Sequence, residues 1–295
     1  MADRGRPVAN PRLPGGAGLP LRMGLNQEIR SQIADPASKR GYVRALFGKV
    51  AHRYDLTNDV MSVGLHRRWK RALLDLAQLE PNHAVLDLAA GTGDLAFGAA
   101  ERLGPEGSVI AADLTPRMMR VGQERERGSD PTAPSKRKLT GWVSGDAISL
   151  PFADCTFDRV VIGYGLRNFV DLQACLAEIR RCLRPGGRLL ALDFGHPPLP
   201  LLRRAYFGYL NLSTRVVGWA LHRDPEAYVY IPESLRRFPG QQGVMRSMLD
   251  GGYVNCGYVD VLFGTMAINF GERGVAPERL VDGPAGDAHR AVALD

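Results

Sequence analysis

Three aspartates, Asp87, Asp113 and Asp146, each stand at the end of a short apolar run. The first run continues as Ala89-Ala90-Gly91-Thr92-Gly93-Asp94-Leu95-Ala96. An apolar run that ends in a carboxylate, turns on glycines and opens into a helical pattern is a buried parallel strand followed by a helix N-terminus. Open α/β sheets bind ligands at such places. Gly91-x-Gly93-x-x-Ala96 also fits the dinucleotide fingerprint. A pyrophosphate, however, needs bare backbone N–H groups at the helix start. Asp94 occupies that place, and Asp87 adds a second negative charge. Two carboxylates repel a diphosphate and suit a cation, so S-adenosylmethionine, with an ammonium and a sulfonium, is the better guest. Asp113 lies 20 residues beyond Gly93 and can accept both ribose hydroxyls of either ligand. Asp146 can accept from an adenine amino group, and Ala147 offers a backbone N–H to a ring nitrogen.

The elements that position these residues read as alternating strand and helix from residue 84 onward. Strands are expected at Val85–Leu88, Ser108–Leu114, Trp142–Val143, Phe157–Tyr164 and Arg188–Phe194. Helices are expected at Thr92–Arg102, Pro116–Arg127 and Leu172–Leu183, with 128–138 a polar, mobile loop. This alternation makes an α/β, Rossmann-like fold: a mostly parallel sheet with helices on both faces. Before it, residues 40–79 read as an N-terminal helical cap, in which Tyr54–Asp59 breaks the helical spacing and Leu65–Arg71 starts a second, basic helix. Residues 197–240 interrupt the rhythm with an aromatic-rich helical insertion (Tyr206, Phe207, Tyr209, Trp219, Tyr228, Tyr230, Phe238), placed where a lid over the site would sit. A helix at Val244–Leu249 and a closing antiparallel pair, Tyr253–Phe263 with Thr265–Phe270, complete a single domain over 25–275. The flanks, 1–24 and 276–295, lack a packing pattern and are expected to be disordered.

The net charge of +7 narrows the partners less than its distribution does. Arg4, Arg6, Arg12 and Arg22 against Asp3 put +3 of it in the N-terminal tail. The remainder is too little to imply nucleic acid. The four cysteines form no CxxC pair and no His/Cys cluster, so neither a metal site nor a disulfide framework is expected, and a reducing, cytoplasmic setting is. No apolar run approaches the roughly 18–20 residues of a membrane span.

Several blocks carry a more specific signal. Phe47-Gly48-x-Val50-Ala51-x-x-Tyr54-Asp55-x-x-Asn58-Asp59-x-Met61-Ser62-x-Gly64-x-His66-Arg67-x-Trp69-Lys70 resembles the opening signature of the ubiquinone/menaquinone-biosynthesis C-methyltransferase family. Val85-Leu86-Asp87-Leu88-Ala89-x-Gly91-Thr92-Gly93-Asp94-Leu95, Leu150-Pro151-Phe152, Thr156-Phe157-Asp158, Gly165-Leu166-Arg167-Asn168, Leu183-Arg184-Pro185-Gly186-Gly187 and Tyr230-Ile231-x-x-Ser234-Leu235-Arg236-x-x-Pro239 continue it, over about residues 43–272. The glycine motif alone is shared by many methyltransferases; the Tyr-Asp…Asn-Asp and Gly-Leu-Arg-Asn blocks are far more specific. The resemblance implies a class I methyltransferase fold and methylation of a quinol ring carbon by S-adenosylmethionine. Its cofactor positions carry over to Thr92, Asp113, Asp146, Ala147 and Gly163. The last is often serine in relatives, so here it supplies only backbone or space.

The chemistry so implied makes definite demands. A hydroquinone ring carbon attacks the sulfonium methyl in line, and deprotonating the neighbouring phenol, whose pKa is about 10, makes that carbon far more nucleophilic. The protein must align two bound reactants and stabilise a phenolate. Arg167 is expected to place its charge beside that oxygen, oriented by Asn168; an arginine with a pKa above about 12 is not a good base. His66, Tyr54 and Asp59 are candidate proton acceptors or substrate positioners. Each also has an ordinary structural reading, as a helix-start histidine, a packed tyrosine and an N-cap aspartate. Demethylmenaquinol is the favoured substrate, on the Glu233–Pro239 wording; a prenylated methoxybenzoquinol of ubiquinone synthesis is the alternative. A non-catalytic cofactor-binding scaffold of a quinone-biosynthesis complex is a reading of a different class. The prenyl tail suggests a slot beneath the aromatic insertion and peripheral contact with anionic lipid on the inner face of the cell membrane, through Arg68, Lys70 and Arg71. An RNA methyltransferase is disfavoured, because the Asn/Asp-Pro-Pro-Tyr/Phe motif is absent. Homo-oligomerisation is left open.

Overall fold

The computed structural model describes residues 29, 34–128, 139–219 and 226–275. The expected terminal tails and all but the first residue of the 128–138 loop lie outside them. Three helices lead: α1 (Pro36–Val50), α2 (Tyr54–Ser62) and α3 (Leu65–Leu76). Asp35 caps α1, its side chain accepting from the Ser38 N–H at 2.8 Å. Tyr54–Asp59, expected to break the helical pattern, is itself helical. The chain turns through a short 3₁₀ segment at Ala51–Arg53 and restarts as α2 in a new direction, which resets the phase of the apolar spacing.

Seven strands follow: β1 (Ala84–Leu88), β2 (Ser108–Asp113), β3 (Gly141–Ser144), β4 (Phe157–Gly163), β5 (Leu183–Phe194), β6 (Tyr253–Val261) and β7 (Met266–Arg273). They form one sheet in the order β3-β2-β1-β4-β5-β7-β6. The first five run parallel, while β7 lies antiparallel between β5 and β6. Between them run α4 (Asp94–Ala100), α5 (Pro116–Arg127) and α6 (Leu172–Cys182), then α7 (Pro200–Val217), α8 (Glu226–Arg237) and α9 (Gly240–Asp250). The chain winds outward from β1 to β3 and then returns to β4 on the other side of β1. That reversal opens a crevice at the carboxyl ends of β1 and β4.

Each sheet face is buried against its own helices, as period-two alternation requires. Val85, Val161 and Leu190 pack with Leu73 and Leu74 of α3 and Leu95, Ala96 and Ala99 of α4. Leu86, Val160 and Leu189 pack on the other face with Leu176 and Ile179 of α6 and Val244 and Met248 of α9. Each such buried aliphatic chain contributes about 1.5–3 kcal/mol relative to exposure. Asp87 shares the face of Val85, which is why its carboxylate meets the start of α4. That helix begins at Asp94 rather than at Thr92, because Gly93 sits at φ 88°, outside the right-handed helical region.

Candidate active site

The crevice holds two cavities that share a wall. The first lies over the ends of β1 to β4, lined by Arg40, Gly91, Asp113, Asp146, Ala147 and Gly163 among others. The second, about 300 Å³, is almost wholly apolar, lined by residues such as Leu46, Met61, Trp69, Tyr206, Tyr230 and Met266, with His66 and Arg167 among its few polar members. Phe47, Tyr54 and Tyr164 line both and form the partition.

Asp113 ends β2, where Oδ2 accepts from the Gly91 N–H (2.9 Å) and Oδ1 from the Thr115 N–H (2.6 Å). It holds the glycine turn in shape while facing the first cavity; burial raises its pKa. Asp146 follows β3 and pairs with Arg40 of α1 at 2.9 Å, with Ala147 beside it. Gly163 lines the first cavity, and a Cβ there would come within 2.9 Å of Leu95 Cδ1, so the backbone can pass this close only without a side chain. Gly91 takes φ 58° and lines the cavity. Gly93 lines neither; a Cβ there would meet Trp142 at 2.6 Å, which makes it a packing glycine. Thr92 is turned away from the first cavity, its hydroxyl donating to Asp55 at 2.7 Å.

Asp87 sits deeper. Its Oδ2 accepts from the Ala96 N–H at 2.8 Å, while Oδ1 is buried with no hydrogen-bond partner among the described residues. Burial pushes its pKa up to about 8, so the free protein keeps the carboxyl largely protonated, and its ionised form has no donor at Oδ1 among the described residues. It lines a small polar recess with Lys70, Gly91, Thr92 and Asp94 that adjoins the first cavity through Gly91 and Gly163. An ammonium arriving there would supply the missing donor, and in this respect the residues fit S-adenosylmethionine. Asp94 does not act as the sequence suggested. Lys70 and Arg125 each pair with it at 2.8 Å, and despite burial they hold its carboxyl well below the usual range. Its charge is answered by two cations, so the case for a cationic ligand rests on Asp87. The same pairing withdraws Lys70 from any lipid contact.

Arg167 follows β4 on a 3₁₀ turn (Leu166–Asn168) that Lys39 of α1 fastens by donating to the carbonyls of Arg167 (3.2 Å) and Phe169 (2.5 Å). Its guanidinium is buried. Nη1 donates to the Tyr164 carbonyl (2.6 Å) and to Asp193 Oδ1 (2.8 Å), and the Phe194 ring stacks 4.8 Å away. Burial opposes the charge, but Asp193 outweighs it and the pKa rises; the arginine stays cationic. Its Nε has no partner among the described residues. Asn168 was expected to orient this arginine. Instead it accepts from the Tyr230 hydroxyl (2.9 Å) and donates to the Tyr164 carbonyl (3.2 Å), and the orienting group is Asp193.

His66 opens α3, and its Nε2 lies 2.9 Å from Asp59 Oδ1. Because an ionised carboxylate only accepts, Nε2 carries the proton and Nδ1 the lone pair. Nδ1 is buried and unpartnered among the described residues. Burial, with Lys70 adding to it, lowers the His66 pKa to about 4, which keeps the ring neutral. Asp59 lines neither of the two cavities; Arg67 also grips it, at 2.7 and 2.9 Å. Tyr54 is half-buried in the partition, and desolvation there raises its pKa. Sequence reasoning missed Tyr164, which follows β4 between two glycines. It takes φ 61°, a strained backbone for a bulky residue, and its buried hydroxyl has no partner among the described residues. It also missed Asp193, although an aspartate near the end of the apolar Leu189–Leu192 run repeats the pattern of Asp87.

The ubiE/COQ5 methyltransferase family profile matches residues 35–273. The chain belongs to that family. Among relatives, the Ubiquinone/menaquinone biosynthesis C-methyltransferase UbiE of Paracoccus denitrificans is 38% identical over 233 residues, covering 79% of this chain and 91% of that one. The protein of the same name from Teredinibacter turnerae is 37% identical over 244 residues, covering 82% and 95%. In fold the chain is similar to a SAM-dependent methyltransferase structure from Thermotoga maritima (TM-score 0.54, 18% identity, 78% of this chain and 99% of that one). It is also similar to one from Methanococcus maripaludis (TM-score 0.53, 16% identity, 79% and 95%). The chain is an S-adenosylmethionine-dependent methyltransferase with a Rossmann-like fold.

Proposed function

We propose that this protein transfers a methyl group to a ring carbon of a prenylated hydroquinone, demethylmenaquinol in particular. The observation that carries the reading is the pairing of cavities: a recess edged by strand-end carboxylates, separated only by Phe47, Tyr54 and Tyr164 from a larger, mainly apolar cavity. When bound, S-adenosylmethionine supplies an electrophilic methyl on a positively charged sulfur. Asp113 and Asp146 would hold its ribose and adenine, and Asp87 its ammonium. On the other side of the partition, Arg167 supplies fixed positive charge for a phenolate, held still by Asp193. His66 is a neutral imidazole turned by Asp59, and its Nδ1, unpartnered among the described residues, can accept a hydrogen bond from the substrate phenol. The Tyr164 hydroxyl can donate to the same substrate oxygen. Apolar walls exclude water and admit the first isoprene units.

The relatives' name covers two quinone pathways. The Glu233–Pro239 wording favours the menaquinone one, and a methoxybenzoquinol is the alternative. The test is turnover of purified protein with S-adenosylmethionine and short-prenyl demethylmenaquinol or methoxybenzoquinol, each reduced, read by mass spectrometry. Gain of one CH₂ on the naphthoquinol supports the reading, and gain only on the benzoquinol moves the protein to the other pathway. Cofactor binding without turnover on either would leave the scaffold reading standing.

A further inference from the structure

α7 carries apolar residues on two opposite faces. Tyr206, Leu210, Thr214 and Val217 face inward and are buried. On the other side, Leu201, Tyr209, Leu212 and Val216 recur at helical spacing, Trp219 follows just past the helix end, and all are exposed: Leu201 at 79%, Leu212 at 67% and Trp219 at 72%. A helix that only covered a core would be polar there. Its charge is one-sided: the 18 residues of α7 include Arg203, Arg204 and Arg215 and no acid, and Arg204 and Arg215 flank the apolar stripe at 3.6 residues per turn.

Two neighbouring tips extend the patch. Val63, in the turn between α2 and α3, is 84% exposed, and Phe263, in the β6–β7 turn, is 78% exposed. Both turns are strained: Val63 takes φ 51°, Leu262 φ 50° and Phe263 φ 55°. Glycine or asparagine is the ordinary occupant of such backbone, and bulky apolar residues there carry a cost that needs a use. These tips and α7 meet at one place. The Tyr209 hydroxyl donates to the Met61 carbonyl at 3.2 Å. Val63, Leu65, Tyr209 and Leu262, the exposed members of the apolar cavity's lining, mark its rim.

We propose that this face, the outer stripe of α7 with the α2–α3 and β6–β7 turns, is a docking surface for an anionic lipid bilayer, laid down so that the apolar cavity opens directly into the membrane. This rests on the reading of the substrate as a prenylated quinol, which resides in lipid. An apolar stripe with tryptophan, tyrosine and phenylalanine at its edges, arginines beside it and no acid on the helix is the composition of an interfacial helix. No described helix is long and apolar enough to cross a membrane, so the contact is peripheral. The surface differs from the α3 basic face read from sequence, where Lys70 is taken by Asp94.

The test is sedimentation of the full chain with vesicles of phosphatidylglycerol and phosphatidylcholine, with brominated lipid as quencher. Wild type should bind anionic vesicles, and Trp219 emission should be quenched; the quenching, but not the binding, should be lost in Trp219→Phe. Leu201→Glu/Leu212→Glu should abolish binding, and each of Arg204→Gln and Arg215→Gln should lower the partition about fivefold. All these variants should still turn over a detergent-solubilised short-prenyl quinol at the wild-type rate. Binding unchanged by the double glutamate variant, or no binding to anionic vesicles at all, overturns the proposal. A concentration-dependent dimer broken by Leu212→Glu, without vesicle binding, would assign the face to a second copy and also overturn it. Vesicle binding without turnover of any quinol would refute the substrate reading and leave the surface, whereas turnover without vesicle binding would do the reverse.

Discussion

Asp87 makes binding of the cofactor a proton-releasing event. In the free protein its pKa is pushed up to about 8 by burial, so about nine-tenths of the molecules carry the proton at pH 7. An ammonium beside the unpartnered Oδ1 favours the ionised form, and the proton must leave. Isothermal titration calorimetry at pH 7, repeated in buffers of different ionisation enthalpy, should therefore show release of about 0.9 proton per cofactor, falling to about 0.5 at pH 8 and 0.1 at pH 9. Affinity should rise nearly tenfold between pH 6 and pH 7 and level off above pH 8. The ligand's own amino group also titrates in this range. The decisive quantity is thus the difference between wild type and Asp87→Asn, a change that keeps an acceptor for the Ala96 N–H. If the two proteins released the same number of protons, Asp87 would not be answering the cofactor's charge, and the reasoning from the orphaned carboxylate oxygen would fail.

Other consequences can be checked more quickly. Asp193→Asn should cost about 3–5 kcal/mol of stability in denaturant melts, because it leaves the buried Arg167 guanidinium without its counter-charge. Arg167→Ala should lower kcat by two orders of magnitude or more, roughly the cost of losing one fixed donor to a developing oxyanion, while cofactor affinity in calorimetry changes little. His66→Asn should lower kcat with KM nearly unchanged. In the wild type, the His66 pKa of about 4 in the fold against 6.5 when free means the unfolded chain binds the extra proton between those values, so His66's contribution to stability is present above pH 6.5 and lost as pH falls toward 4; melts across that range in wild type and His66→Asn isolate it. Gly93→Ala should destabilise by about 1–3 kcal/mol, since its methyl meets Trp142 at 2.6 Å and φ is 88°, yet spare turnover at low temperature.

The parallel sheet was legible because each of its strands centres on a short apolar run, down to Trp142–Val143 in β3, and these runs alternate with helical patterns. The places of Asp113 and Asp146 on the wall of the first cavity were legible for the same reason, because a strand's carboxyl end is a place that the pattern itself marks; Gly163 followed only from the family resemblance. Partners that come from far along the chain were not. That Lys70 and Arg125 neutralise Asp94, and that Asp193 rather than Asn168 holds Arg167, follows from β5 lying beside β4 and α3 beside α4, which side-chain spacing does not encode. The phase reset at Ala51–Arg53 hid α2, because a periodicity argument reads a change of helix direction as the end of a helix. Tyr164 was invisible for another reason: its role depends on a left-handed backbone, which a tyrosine does not announce as glycine or asparagine would.

The most direct test of the central claim is where the methyl goes. With S-adenosylmethionine carrying a CD₃ group and short-prenyl demethylmenaquinol kept reduced, the product should carry deuterium on a ring carbon, seen by NMR, with both oxygens still free, and oxidised quinone should give nothing. Label on oxygen, or equal labelling of the oxidised quinone, would contradict a mechanism in which a phenolate-activated carbon attacks the methyl.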